Sequence, residues 1–86
     1  MKQVTLFVLE NCPHCRRARS MMEELFAEHP EYATVELTVI DEAKEPAVAA
    51  RYDYYYVPTF YLDGEKRLEG APSKEAIDKL FAEACS

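Results

Sequence analysis

The stretch Val4-Thr5-Leu6-Phe7-Val8-Leu9-Glu10-Asn11-Cys12-Pro13-His14-Cys15 runs from six largely apolar residues into two closely spaced cysteines. Residues 4–9 carry too little polarity for a half-exposed strand and predict a central strand covered on both faces. Pro13 suits the first turn of a helix, where its missing N–H would have no bond in any case. Beyond it, Ala18, Met21, Met22, Leu25 and Phe26 recur at helical spacing and form one apolar face, with Met21 and Met22 as core fillers. Arg16, Arg17, Arg19, Glu23, Glu24 and Glu28 take the remaining positions, and the arginines read as a solvated face. Pro30 ends this helix near His29, and a His there suits the helix dipole.

Moving outward, Thr34 to Ile40 alternates polar and apolar residues and predicts a second strand fit for a sheet edge. Asp41-Glu42-Ala43-Lys44-Glu45 leads to Pro46, which opens a short helix reaching about Tyr52. Thr59 to Leu62 predicts a third strand, Asp63-Gly64 a tight hairpin turn, and Lys66 to Glu69 an antiparallel fourth strand. Ser73 can cap a last helix whose apolar face holds Ala76, Ile77, Leu80, Phe81 and Ala84. The order is β-α-β-α-β-β-α, an α/β fold. The first two strands are joined by a helix and so run parallel through a right-handed crossover.

Eighty-six residues leave no room for a second core, so residues 1–86 are expected to form one domain. Sixteen acidic and ten basic residues give a net charge of -6, which argues against nucleic-acid or anionic-membrane surfaces. Val4 to Leu9 is too short to span a bilayer, and no signal-peptide core follows Met1-Lys2-Gln3. A cytoplasmic location is therefore expected. Three cysteines, an odd count, do not suit a disulfide-stapled secreted scaffold. Cys85 is left over near a terminus that would fray.

Cys12 and Cys15 stand where a strand becomes a helix, three residues apart and on one helical face. A disulfide between them can close with little movement. Cys12 lies nearer the helix N-terminus, where free N–H groups and the dipole favour a thiolate. Cys15 precedes Ala18 by three residues and belongs to the inward face. Cys12 is thus the expected nucleophile on a substrate disulfide, with Cys15 resolving the mixed disulfide. Pro13 stiffens the turn, and His14 is expected to tune the couple by supporting the Cys12 thiolate. Zinc would need about four ligands, and Cys85, His14 and His29 offer no convincing second pair, so no metal is expected. Haem attachment would want His immediately after Cys15, where Arg16 stands. A non-catalytic metal-binding or protein-docking module is the alternative.

The proline of Tyr56-Val57-Pro58-Thr59 cannot donate to a sheet ladder and belongs at a strand's start. Leu9 to Cys15, Tyr56 to Thr59, Asp63-Gly64 and Gly70 together resemble the thioredoxin superfamily, and most of all a glutaredoxin or small glutaredoxin-like redoxin. The resemblance covers nearly the whole chain. It implies a thioredoxin-like fold, with a four-stranded mixed sheet flanked by helices. It also implies that Pro58 is cis beside the active-site sulfurs and that the Val57 backbone pairs with extended substrate, with Tyr56 and Gly70 in the same binding region. The implied activity is dithiol–disulfide exchange on protein or small-molecule disulfides. No bound cofactor is expected, and a monomer is the default state.

Glutathione is one electron donor this resemblance allows, and a thioredoxin-reductase-like flavoenzyme is the other. The thioredoxin signature Trp-Cys-Gly-Pro-Cys is absent, since the chain has no tryptophan. Glutathione-using relatives usually carry a lysine shortly before the first cysteine, where Glu10 and Asn11 stand here, and Glu10 would repel glutathione's carboxylates. Gly70-Ala71-Pro72-Ser73-Lys74 replaces their Gly-Gly pair and acidic cap. Tyr52, Tyr54, Tyr55 and Tyr56 allow two readings: an aromatic platform for a protein substrate, or two rings packed beneath the short helix with the others at the surface.

Overall fold

The computed structural model describes residues 2–86. Strand β1 (Gln3–Val8) leads to helix α1 (Pro13–Glu28), strand β2 (Glu36–Asp41) and the short helix α2 (Pro46–Ala49). Strands β3 (Thr59–Leu62) and β4 (Glu65–Glu69) and helix α3 (Lys74–Cys85) complete the chain. The sheet order is β2-β1-β3-β4, with β1 parallel to β2 and antiparallel to β3, and β3 antiparallel to β4. This is the thioredoxin-like mixed sheet that the family resemblance implied.

As expected, β1 is central. Val4, Leu6 and Val8 point to one face and join Phe60, Leu62, Ile77, Leu80 and Phe81 in the larger core. Phe7 points to the other face and packs with Ile40 and Tyr61 beneath α2. A strand covered on both sides has no use for polar alternation, which is why its sequence shows so little. The edge position of β2 explains why its own alternation survives. Asp63 (φ 50°) and Gly64 (φ 84°) both lie in the left-handed region, the geometry a two-residue hairpin needs. The Asp63 Oδ1 also accepts from the Gln3 N–H at 2.8 Å, tying the turn to β1.

Three details differ from expectation. Thr34 and Val35 precede the second strand, because Pro30–Thr34 forms a 3-10 turn that buries Tyr32. Its phenol donates to Asp78 Oδ1 at 2.5 Å and so clasps α3. Helix α2 ends at Ala49 instead of reaching Tyr52, since Arg51 N–H and Tyr52 N–H bond three residues back, to Val48 and Ala49. That tightening closes the helix and turns Tyr52 beneath it. Cys85 does not fray: it is the last residue of α3, packs against the larger core and donates through its thiol to the Glu31 carbonyl at 3.4 Å.

Candidate active site

Cys12 is the N-cap of α1, with extended backbone (φ -111°, ψ 110°). An N-cap side chain ordinarily offers an oxygen to the free N–H groups of the first turn. Here the acceptor is sulfur: the Cys15 N–H donates to Cys12 Sγ at 3.1 Å. An acceptor at this position gains from negative charge, because the donor is an unpaired helical amide at the positive end of the dipole. Pro13 supplies the first helical position without an N–H that would need a partner.

Cys15 lies one turn inward and is 2% exposed, whereas Cys12 is half-buried. Burial pushes the Cys15 thiol from its ordinary value of 9.0 up to about 12. Its hydrogen bond to the Cys12 sulfur and the charges of Cys12 and Glu42 add to that effect, against a backbone hydrogen bond at Leu9. The same spacing thus yields two unlike sulfurs, one reachable at the helix tip and one held protonated in the core.

The third component arrives from far along the chain. The Val57–Pro58 peptide bond is cis, and Pro58 is fully buried. Next to it the Val57 carbonyl faces Cys12 Sγ at 3.8 Å. Gly70, in the left-handed region (φ 87°), donates its N–H to the Pro58 carbonyl at 2.9 Å. Val57 itself contacts both cores. Tyr56 is 70% and Tyr55 86% exposed, the two large apolar side chains most open to solvent among the described residues. Tyr52 and Tyr54 instead pack on Phe7, tilted and stacked respectively, at centroid distances of 4.7 and 4.8 Å.

Comparison with known proteins accords with this geometry. The profile of the thioredoxin domain matches residues 2–82. The chain belongs to the thioredoxin family. A protein named thioredoxin from Methanocaldococcus jannaschii is 36% identical over 75 residues, covering 87% of this chain and 86% of that one. Among solved structures, Fasciola hepatica thioredoxin is similar at 28% identity and TM-score 0.75, covering 96% of this chain and 80% of its own. Oxidised thioredoxin from Plasmodium falciparum matches in fold at TM-score 0.76 and 21% identity, over 99% of this chain and 82% of its own. As a member of the thioredoxin family the chain is a dithiol–disulfide oxidoreductase, with Cys12 and Cys15 at the spacing that chemistry requires.

The tuning residues sit less simply. Pro13 and His14 are both exposed, and the His14 Nδ1 pairs with the Arg17 guanidinium. Among the described residues no hydrogen bond links His14 to Cys12. Arg16 and Arg19 line a cleft of about 490 Å³ beside Cys15, together with Glu10, Asp41 and Lys44.

Two acids near the site were not singled out in the sequence. Glu42, whose charge bears on Cys15, accepts from the Tyr54 phenol at 2.8 Å. Glu69 accepts from the backbone of the loop before Pro58. Both read in sequence as ordinary solvated charges, one in Asp41-Glu42-Ala43-Lys44-Glu45 and one at a strand end. Among the described residues no group of three or more His, Cys, Asp or Glu side chains is placed to hold a metal ion.

Proposed function

We propose that this protein reduces polypeptide disulfides in the cytosol, with Cys12 attacking and Cys15 resolving, and is itself re-reduced by a thioredoxin-reductase-like flavoenzyme. The Cys12 thiolate attacks one sulfur of the substrate disulfide, that S–S bond breaks, and the first substrate thiolate leaves. Cys15 then gives up its proton, its sulfur attacks Cys12 Sγ, and the second substrate thiolate departs. Two electrons pass to the substrate, whose two thiolates take one proton released by Cys15 and one from solvent, and Cys12–Cys15 becomes a disulfide. The reductase returns the electrons.

One observation carries this reading: a half-buried sulfur capping a helix, with a deeply buried sulfur whose own N–H supports it at 3.1 Å. Thiolate chemistry needs access and anion stabilisation at the attacking atom, and protection at the one that waits. The open Val57 edge beside Cys12 supports an extended polypeptide as substrate.

Glutathione is the competing electron donor. Against it stand Glu10 and Asp41, which line the groove at Cys12 along with the single cation Lys44. The first turn of α3 is also already capped, since Ser73 Oγ accepts from the Ala76 N–H at 3.2 Å. Turnover measured with glutathione and its reductase, against turnover with a thioredoxin reductase, separates the two donors. For the chemistry itself, Cys12→Ser should abolish disulfide reduction, and Cys15→Ser should accumulate a mixed disulfide through Cys12. Activity surviving in Cys12→Ser would refute the assignment.

A further inference from the structure

The loop that presents Val57 is not held by the sheet ladder. Tyr55 and Tyr56 precede β3, and their amides would be left to solvent by the strand pairing alone. Instead a single carboxylate oxygen gathers both: Glu69 Oε2 accepts from the Tyr55 N–H at 2.5 Å and from the Tyr56 N–H at 3.0 Å. The other oxygen, Oε1, pairs with Lys66 Nζ at 2.9 Å. Glu69 ends β4, one residue before Gly70, whose own N–H takes the Pro58 carbonyl. The Thr59 hydroxyl donates to the Tyr56 carbonyl from the other side.

Every backbone group flanking Val57 is therefore engaged by β3, β4 or Gly70. The Val57 amide and carbonyl make no bond to another backbone group among the described residues. With its neighbours fixed and its own edge free, Val57 is left facing the Cys12 sulfur. The rings of Tyr55 and Tyr56 project into solvent on the same segment.

We infer that Glu69 is a positioning residue: its carboxylate sets the Tyr55–Val57 segment so that the exposed tyrosines and the Val57 edge meet a polypeptide disulfide. The role rests on the disulfide-reducing activity proposed above. Glu69 touches neither cysteine, and it acts only through the loop it holds. A carboxylate is suited to the task because it has lone pairs enough for two amides and an ammonium at once. Those same bonds, the Tyr55 amide first and Lys66 next, hold its carboxyl down from an ordinary 4.5 to about 2, so the clasp stays charged across the physiological range.

The consequence is one of selectivity. A small disulfide needs only the sulfur of Cys12, whereas an extended polypeptide must also align along Val57 and lie against the tyrosines. Loosening the segment should harm the second far more than the first.

The test is single-turnover oxidation of the pre-reduced full-length chain by insulin and, separately, by bis(2-hydroxyethyl) disulfide. The quantity read is the ratio of the two second-order rate constants. In Glu69→Ala, which leaves both amides without their acceptor, this ratio should fall about tenfold. In Glu69→Gln, whose amide oxygen can still accept from both N–H groups, the fall should stay within about threefold. Hydrogen exchange at the Tyr55 and Tyr56 amides should accelerate in Glu69→Ala. If that variant does not fold, Glu69→Asp, one methylene shorter and still charged, must lower the ratio in its place. A ratio that ignores the substitution, or a parallel decline with both disulfides, would overturn the inference. If the unmodified chain reduces neither disulfide, the proposed activity falls as well; if it reduces both and only the ratio is indifferent to Glu69, the positioning role alone falls.

Discussion

The two faces of the sheet are packed by different means. The face under α1 and α3 is built mainly from Val4, Leu6, Phe60, Leu62, Ile77, Leu80 and Phe81, apolar side chains with no hydrogen bonds of their own to satisfy, and Tyr32 at its margin is the one phenol, bonded to Asp78 among the described residues. The face under α2 is smaller and rests on Phe7 against three tyrosines, Tyr52, Tyr54 and Tyr61, at centroid distances of 4.7 to 5.7 Å. Two of those tyrosines end in directed bonds, Tyr61 to the Asp53 carbonyl at 2.7 Å and Tyr54 to Glu42 at 2.8 Å. Hydrophobic packing is non-directional and supplies bulk stability. A phenol fixed at its tip also dictates where a loop must lie. The helix-covered face holds the fold, and the tyrosine face places the loops around Cys12. Val57, which touches both, sits at their seam.

The comparison breaks first in the larger core. Phe81→Ala removes a fully buried ring that meets Phe26 edge-on at 5.1 Å, and should cost about 3–5 kcal/mol. Chemical denaturation reads this directly. The selectivity between polypeptide and small disulfides should survive in whatever remains folded.

Alkaline pH probes both faces at once. Tyr32 on the helix side is raised from 10.0 to about 12 by burial and its bond to Asp78, and Tyr54 on the other side is raised by burial and by Glu42. Each folded-state value exceeds the unfolded one, so above about pH 10 the unfolded chain binds fewer protons than the folded chain. The stability these groups add is complete below that pH and is lost as pH climbs through the folded values. Cys15 acts in the same sense from 9.0 upward. Denaturation midpoints should decline between pH 9 and 11, and a rising midpoint would contradict the burial of these groups.

Smaller effects sharpen the division within the tyrosine face. Tyr61→Phe deletes the bond to Asp53 and should cost about 1 kcal/mol. Tyr52→Phe keeps the packed ring and should change stability by less than about 0.5 kcal/mol. Equal losses from the two would mean that the phenol tips do not position the loop.

How much of this was legible in sequence follows from the range of the interactions. The strand, the cap and the first helix around Cys12 and Cys15 are local, and each has its own pattern: an apolar run, a proline at the first helical position, an apolar stripe. The hairpin at Asp63-Gly64 is local as well. The 3-10 turn at Pro30–Thr34 has no period to show, and Pro30 reads only as the end of what precedes it. The contact of Val57, next to Pro58, with Cys12 joins residues 45 apart, and only resemblance to a known family anticipated it. Glu42 and Glu69 were invisible for a different reason. An acid that binds a phenol or a backbone amide looks, in sequence, like one that binds water. The tyrosines divide as one of the two readings had it, two beneath α2 and two in solvent, but nothing in Tyr52-Asp53-Tyr54-Tyr55-Tyr56 shows which two, or that a strand-end carboxylate holds the amides of the last two.

The central claim is that two cysteines of equal spacing rights have unequal access, and brief alkylation tests it most directly. The reduced chain would be exposed to iodoacetamide at pH 7 and the labelled peptides mapped by mass. The account predicts that Cys12 carries the label while Cys15 stays unmodified until the chain is unfolded. Labelling of Cys15 as fast as Cys12 in the folded chain would contradict it.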